Sequence, residues 1–440
     1  MIPSSRTGSR PSGRTARTDV SRYPLTTKDT GRDTLQTTAE RGRIGVWLVG
    51  ARGAVASCVS YGLAGLAQGL LEPTGIATER GPLGELPLIS WDRIVLGGHE
   101  VIGSDLSRTA GELVRHGVLS SELVAATSAE AAAYDARICP GVLDSTDVGG
   151  ADLHPRASEL GALSPREQVQ ALAADMTAFR AEHDLERVIV VYLASTEAWR
   201  DEAPGWDTEQ GVEDLLDGKL EGDLPASSLY AYAAFSAGCP FVNFTPNRGA
   251  TLGGLRAKAR SAGLPHCGSD GKTGETLLKA TLAPMFAARA LKVLAWQGYN
   301  MLGNGDGEAL ADPVRMESKR RTKDAVVRSI MADPDMHTQV SIDYVPSLHD
   351  WKTAWDFIHF EGFLGAKMSL QFTWTGSDSA LAAPLILDLV RLTDLAHRSG
   401  DVGEMDHTAC FFKSPIAGGT HDFHAQFASL LDYASKRVKG

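Results

Sequence analysis

A chain of 440 residues, 43% hydrophobic and 22% charged, has an ordinary globular composition, with room for about two or three domains and a sizeable core. Its formal net charge of −11, with no strongly basic segment, argues against nucleic acid as the main partner, and no apolar run reaches the length of a membrane span. Cys58, Cys139, Cys239, Cys267 and Cys410 include no CxxC spacing, so they support neither a disulfide framework nor a zinc ribbon, and they fit a reducing cytoplasm.

Residues 1–43 are rich in Ser, Thr, Arg and Gly and poor in large apolar groups. Such a segment cannot bury enough surface to order itself, and a disordered tail is expected. A transit peptide is the alternative, and Asp19, Asp29 and Asp33 count against it.

Ordered structure is expected from Ile44 onward. Ile44 to Val49 is a short apolar run suited to a buried parallel strand. Gly50, Ala51, Arg52 and Gly53 form a tight turn, and Ala54 to Leu70, beginning Ala54-Val55, reads as a helix of small residues. Strand, glycine turn and helix open a dinucleotide-binding fold, and the turn would carry the cofactor. The spacing is G-x-x-G, not GxGxxG, so an ordinary α/β unit with a glycine turn stays an alternative.

Three further strand candidates follow, at Arg93–Gly98, Arg187–Thr196 and Cys239–Pro246. The first runs into His99 and Glu100, and an acidic residue there can hold the adenosine ribose hydroxyls. The other two place Ala194, Ser195, Thr196 and Asn243 at the carboxyl ends of strands, where ligands bind. The runs between them have helical spacing. The alternation predicts an α/β fold with a Rossmann-type doubly wound parallel sheet.

The stretch HCGSDGKTGETLLKATLAP, from His266 to Pro284, contains Gly-Lys-Thr before an expected helix. A phosphate loop of the Walker type needs glycine where His266 stands, so that motif fails. Gly268, Gly271 and Gly274 still permit a tight loop, and a helix N-terminus after it would cradle a phosphate. A glycine turn capping a core helix is the plainer alternative. Beyond it, a strand leads into a loop with Asn304 and Asp306, and Lys319 and Lys323 follow at i and i+4. On a helix these ammonium groups share a face, which suits a bound anion or a solvated basic surface. Lys352 lies in VPSLHDWKTAWDF, and Lys413 follows an apolar run in ACFFKSPIAGG.

VWLVGARGAVAS, GGHE, LASTE, LYAYAAF, NFTP, GSDGKTGETLLKATLAPMFA, YNMLGNGDG, ESKRRTK, VPSLHDWKTAWDF, AAPLILDL and FFKSP occur in this order from about Ile44 to Pro415. Taken together they resemble the myo-inositol-1-phosphate synthase family, most nearly its archaeal type. The resemblance implies an NAD-dependent cyclase acting on a sugar phosphate. In that reaction NAD⁺ oxidises C5 of open-chain glucose 6-phosphate and the ketone acidifies C6. The enolate attacks the C1 aldehyde, and the NADH just formed reduces the ketone of the new ring. It also implies a cytoplasmic homotetramer, and it leaves open a divalent or monovalent cation.

By the same resemblance, Lys319 matches the lysine that moves the C5 hydroxyl proton, and Lys413 one near the reacting carbonyls. Lys323 and Lys352 match lysines that grip phosphate or substrate oxygens. Thr273, Gly274 and Glu275 match the phosphate cradle, Glu275 through its backbone amide. Asp270 and Asp306 match acids beside substrate and cofactor, and Asp378 is a looser match. The implied domains are a Rossmann domain of residues 44–245 plus 390–440, and a catalytic and tetramerisation domain of residues 246–389.

Gly298 stands where the family often carries Ser, and Asn247-Arg248 follow NFTP where small or polar residues are usual. These departures leave open a paralogous cyclase that makes a five-membered cyclitol phosphate from fructose 6-phosphate. A non-catalytic sensor of NAD or sugar phosphate is the alternative of another class, and retention of all four lysines counts against it. The composition of the tail yields a test: deleting residues 1–40 is expected to leave activity and oligomeric state unchanged, as read by turnover and light scattering.

Overall fold

The computed structural model describes residues 42–144, 153–303, 327–331, 333 and 335–438. Residues 1–41 of the expected tail therefore lie outside the described residues, as do Asp306, Lys319 and Lys323, while Arg43 already belongs to the first strand. The strands are β1 (Arg43–Val49), β2 (Ile94–Glu100), β3 (Ile138–Pro140), β4 (Leu185–Tyr192), β5 (Phe241–Asn243), β6 (Pro265–Cys267), β7 (Lys292–Leu302), β8 (His337–Tyr344), β9 (Trp351–Glu361), β10 (Lys367–Ser377) and β11 (Gly403–Glu404). They form a seven-stranded sheet in the order β11-β6-β5-β4-β1-β2-β3 and a four-stranded sheet in the order β10-β9-β7-β8.

All pairings in the first sheet are parallel. Its order is that of a doubly wound dinucleotide-binding sheet with one strand added at the β6 edge. Parallel strands must be apolar wherever both faces are covered, and past their first residues β1 and β4 are: Ile44, Val46, Trp47, Leu48, Val188, Ile189, Val190 and Val191 are all buried. Helices α1 (Ala54–Ala67) and α6 (Asp378–Arg398) pack together over one face, while α2 (Pro165–Glu182) and α3 (Ala226–Ser236) cover the other. The sheet runs past residue 245: α4 (Gly253–Ser261) and β6 belong to it, and α6 lies against α1 from well before residue 390.

In the second sheet β9 pairs antiparallel with β7 and β10, whereas β7 and β8 are parallel. Helix α5 (Gly274–Ala288) covers its inner face, where Ala283, Phe286, Trp296 and Ile358 form a separate core. Helix α7 (Phe423–Val438) closes the chain against α5 and the segment Asp406–Phe411. No helix among the described residues is long and apolar enough to cross a membrane.

Two adjacent glycines within β2 mark how tightly its neighbours approach. A Cβ on Gly98 would press into the Leu48 carbonyl oxygen and lie 2.8 Å from the Ala51 Cβ, and one on Gly97 would stand 3.0 Å from the Trp47 ring. Backbone cannot move aside as a side-chain tip can. Gly98→Ala is therefore expected to lower stability by about 2–3 kcal/mol, seen as a lower urea midpoint with an unchanged slope.

Candidate active site

The order of the large sheet reverses at β1. The chain moves outward through β2 and β3 on one side and through β4, β5 and β6 on the other, so a crevice opens beyond the carboxyl ends of β1 and β4. The Gly50–Gly53 turn lines it. Gly50 adopts φ +86°, a region that favours glycine, and a Cβ there would stand 3.1 Å from the Ala194 Cα. The amides of Gly50 and Ala51 both donate to the His99 carbonyl. Helix α1 then begins with Gly53 as an N-cap that makes no side-chain bond, leaving Ala54 and Val55 in a first turn free of side-chain capping. Free first-turn amides beside a glycine of this kind fit a dinucleotide pyrophosphate.

Glu100 stands where the sequence places it, but its carboxylate is engaged locally. Oε2 accepts from Arg52 N at 2.9 Å and Oε1 from Val101 N at 2.7 Å. It thus braces the glycine turn, a role its position after a strand does not reveal. The Arg52 side chain is held away at Asp135, 2.7 Å distant. Asn243 is likewise occupied: its Oδ1 accepts from Thr245 N and Oγ1, and its Nδ2 donates to the Asn247 carbonyl at 2.6 Å. It shapes the turn after β5.

Strand β4 ends at Tyr192, so Ala194, Ser195 and Thr196 lie in the loop that follows it. Asn247 ties that loop down, donating to the Ser195 carbonyl and accepting from Glu197 N, each at 2.9 Å. Beside it, the Arg248 guanidinium stacks 4.3 Å over the Trp199 ring. Glu197 went unremarked in the sequence. It is buried and accepts from Tyr192 Oη, Ser227 N and Ser227 Oγ, and burial pushes its carboxyl up to about 7.

The glycine loop after β6 is sewn on both sides. Asp270 N donates to the Thr245 carbonyl and Gly271 N to Phe244, while Lys272 N donates to Phe411 and Lys413 N to Asp270. Asp270 has φ +62°, and its carboxylate takes the Lys413 ammonium at 2.7 Å. Both are buried, so the pair matched by resemblance is brought together across 143 residues of chain. Helix α5 then starts at Gly274 with Thr273 as an N-cap that makes no side-chain bond. His266, the residue that breaks the Walker pattern, is a buried core histidine packed against Phe235, and burial pushes it down to about 4.

Two lysines here escaped the sequence reading. Lys272 is buried and donates to Gln426 of α7, and burial pushes its ammonium down to about 8. Lys279 is buried one turn below Glu275, with its Nζ 2.6 Å from Glu275 Oε1 and 3.4 Å from Asp356 Oδ1. Burial opposes the Lys279 charge, but the two carboxylates hold it above the ordinary lysine value. Asp356 also accepts from Trp296 Nε1 at 2.7 Å, and burial pushes it up to about 6 against the pull of Lys279. The i, i+4 spacing of Glu275 and Lys279 was the available signal. At the start of β9, Lys352 lies 3.5 Å from Asp378, and Asp350 accepts from Ser377 and Ser379. Among the described residues no group of three or more His, Cys, Asp or Glu side chains could hold a metal ion.

A doubly wound sheet with a glycine turn at its switch point defines a dinucleotide-binding α/β protein, here with a second, four-stranded sheet. The family model for myo-inositol-1-phosphate synthase matches residues 44–434, and the chain belongs to that family. It is 32% identical over 407 residues to inositol-3-phosphate synthase 1 of Bacteroides thetaiotaomicron, covering 88% of this chain and 91% of that one. Isozyme 1 of Arabidopsis thaliana is 32% identical over 362 residues, covering 80% of this chain and 66% of the plant protein. Among solved structures, the Caenorhabditis elegans inositol-3-phosphate synthase has the same fold, with a TM-score of 0.79 at 24% identity over 91% of this chain and 87% of that one.

Gly274 gives the sharpest local test of the cradle. It adopts φ +42°, and a Cβ on it would stand 3.2 Å from Trp374 Nε1. Gly274→Ala is expected to distort the first turn of α5 and weaken sugar-phosphate binding by about tenfold, a cost of roughly 1–2 kcal/mol, with NAD affinity unchanged in calorimetric titrations.

Proposed function

We propose that this chain converts glucose 6-phosphate to 1D-myo-inositol 3-phosphate, in keeping with the inositol-3-phosphate synthase names of its relatives. The observation that carries the reading is the Asp270–Lys413 pair, buried between the turn after β5 and the N-terminus of α5. Its support for the reading is that an ammonium is held on an acid three residues before the N-cap of α5, within reach of an oxyanion bound there.

NAD, held along residues 50–55, supplies the acceptor and later the donor of a hydride. Everything else falls to the chain itself. Thr273 is the N-cap, its own amide donating to the Gly271 carbonyl, while Gly274 and Glu275 offer first-turn amides to the phosphate, and the helix dipole adds to their pull. Lys352, steadied by Asp378, grips a substrate oxygen. Lys413 enters as an ammonium fixed by Asp270, so it is placed to stabilise an oxyanion at the reacting carbonyls without reorganising. Lys319 is assigned the C5 hydroxyl proton and Lys323 the phosphate by family resemblance alone, as is Asp306 beside the cofactor, with a cation left to that side of the site.

Homotetramer formation is part of the proposal, and the outer face of the second sheet supports it. Along β9 the inward residues Lys352, Ala354, Asp356 and Ile358 are buried, while Trp351 and Trp355 on the other face are 37% and 39% exposed. Trp355, Phe357 and His359 stack in a row across that face. An aromatic strip of this kind is what a subunit contact covers. The reducing cytoplasm remains the proposed setting, consistent with five free cysteines.

The assay is direct. With NAD⁺ and glucose 6-phosphate labelled with deuterium at C5, the expected product is a six-membered cyclitol phosphate that retains the label, with no net NADH. A five-membered product from fructose 6-phosphate, or stoichiometric NADH, would overturn the proposal. Lys352→Ala is expected to weaken binding of a non-cyclising sugar-alcohol phosphate by about one to two decades, the size of a lost charge-assisted hydrogen bond. Lys413→Ala is expected to abolish cyclisation while leaving that binding within a few-fold of its original value, as measured by the same titration.

A further inference from the structure

Helix α5 presents a conflict of charge. Its N-terminus is the proposed seat of a phosphate dianion, yet its second residue is Glu275. A carboxylate in the first turn already satisfies the helix dipole and repels a second anion placed there. The Glu275 side chain is turned inward, where it is buried against β7 and β9. It meets Lys279 at 2.6 Å, and Lys279 in turn lies 3.4 Å from Asp356. Gly298 makes the room: a Cβ there would stand 2.7 Å from both Glu275 Oε1 and Lys279 Nζ. The departure at Gly298 and the acid at 275 are therefore two parts of one arrangement.

We propose that Lys279 is a positioning residue for the phosphate end of the substrate, its buried ammonium drawing Glu275 down and offsetting that carboxylate so that the amides of α5 can take a dianion. Lys279 touches neither substrate nor cofactor in this role. It acts through Glu275, with Asp356 and Trp296 fixing it from the sheet. The inference rests on the reading that α5 holds the phosphate.

A charge series tests it. Within the trio Glu275, Lys279 and Asp356, the formal sum is one negative charge. Lys279→Met makes it two, Glu275→Gln makes it zero, and the double variant restores one. The Kd of glucitol 6-phosphate, a probe that cannot cyclise, is measured calorimetrically on the full chain with NAD present, alongside KM and kcat. Lys279→Met is expected to weaken probe binding and raise KM by about tenfold, a buried unit charge being poorly screened, with a smaller change in kcat. Glu275→Gln is expected to tighten binding, and the double variant to return close to the wild type.

A merely structural role predicts another order, with the double variant worse than either single one and Glu275→Gln weaker than wild type; that result would overturn the inference. Should Lys279→Met fail to fold, Glu275→Gln carries the test alone, because Lys279 keeps Asp356 as its partner. Gly274→Ala separates the two levels. If it weakens binding while the charge series is flat, the cradle stands and the role of Lys279 falls. If both leave binding unchanged, the phosphate reading itself fails.

Discussion

The site depends on one seam of backbone hydrogen bonds, between the glycine loop after β6 and the returning chain at residues 411–416. Ser269 and Ser414 exchange amide-to-carbonyl bonds, Lys413 N donates to the Asp270 carbonyl, and Lys272 N donates to Phe411. An amide buried without a partner would cost a few kcal/mol, so a loop of this kind stays buried only where another segment answers it. The return segment does so, and in doing so it sets Lys413 against Asp270. The other side of the loop is answered by the turn after β5, through Thr245 and Phe244. The turn after β5, the acid–lysine pair and the start of α5 are thereby fixed to one another through short stretches of main chain.

Buried charge is the second organising fact. Lys272, Lys279, Lys352 and Lys413 are all buried, as are Asp270, Glu275, Asp350 and Asp356. Burying ions costs several kcal/mol each, and pairing seldom returns more than that. Such a concentration is poor value for stability alone. It is well suited to a reaction in which phosphate, enolate and alkoxide charges must be met by dipoles and ammonium groups already in place. The apolar sheets beneath supply the rigidity: α5 is anchored by Ala283 and Phe286 against Trp296 and Ile358, well away from the charges at its first turn.

Much of this was legible in the residues because local chemistry dictated it. The apolar run of β1, its glycine turn and the small-residue helix α1 announce a dinucleotide fold, and the turn adopts that geometry. The strand expected at Arg187–Thr196 ends at Tyr192, four residues short, because Asn247 and Glu197 draw the following loop into a different hydrogen-bond network. Strand β10 went unread, although Met368, Leu370, Phe372 and Trp374 alternate with polar neighbours at the period of a strand.

The sequence by itself determined the class of fold, the cofactor turn, the glycine loop before a helix, and family membership through the order of its motifs. These are encoded over a few residues each, where turn chemistry and apolar period leave few choices. Only the tertiary structure decided that Glu100 braces the glycine turn after β1, that Asn243 spends its amide on its own loop, and that Lys279 lies between Glu275 and Asp356. Those partners come from other strands or from across a turn, and their protonation and reach are set by burial. Burial belongs to the folded packing of both sheets, and no local stretch of residues specifies it.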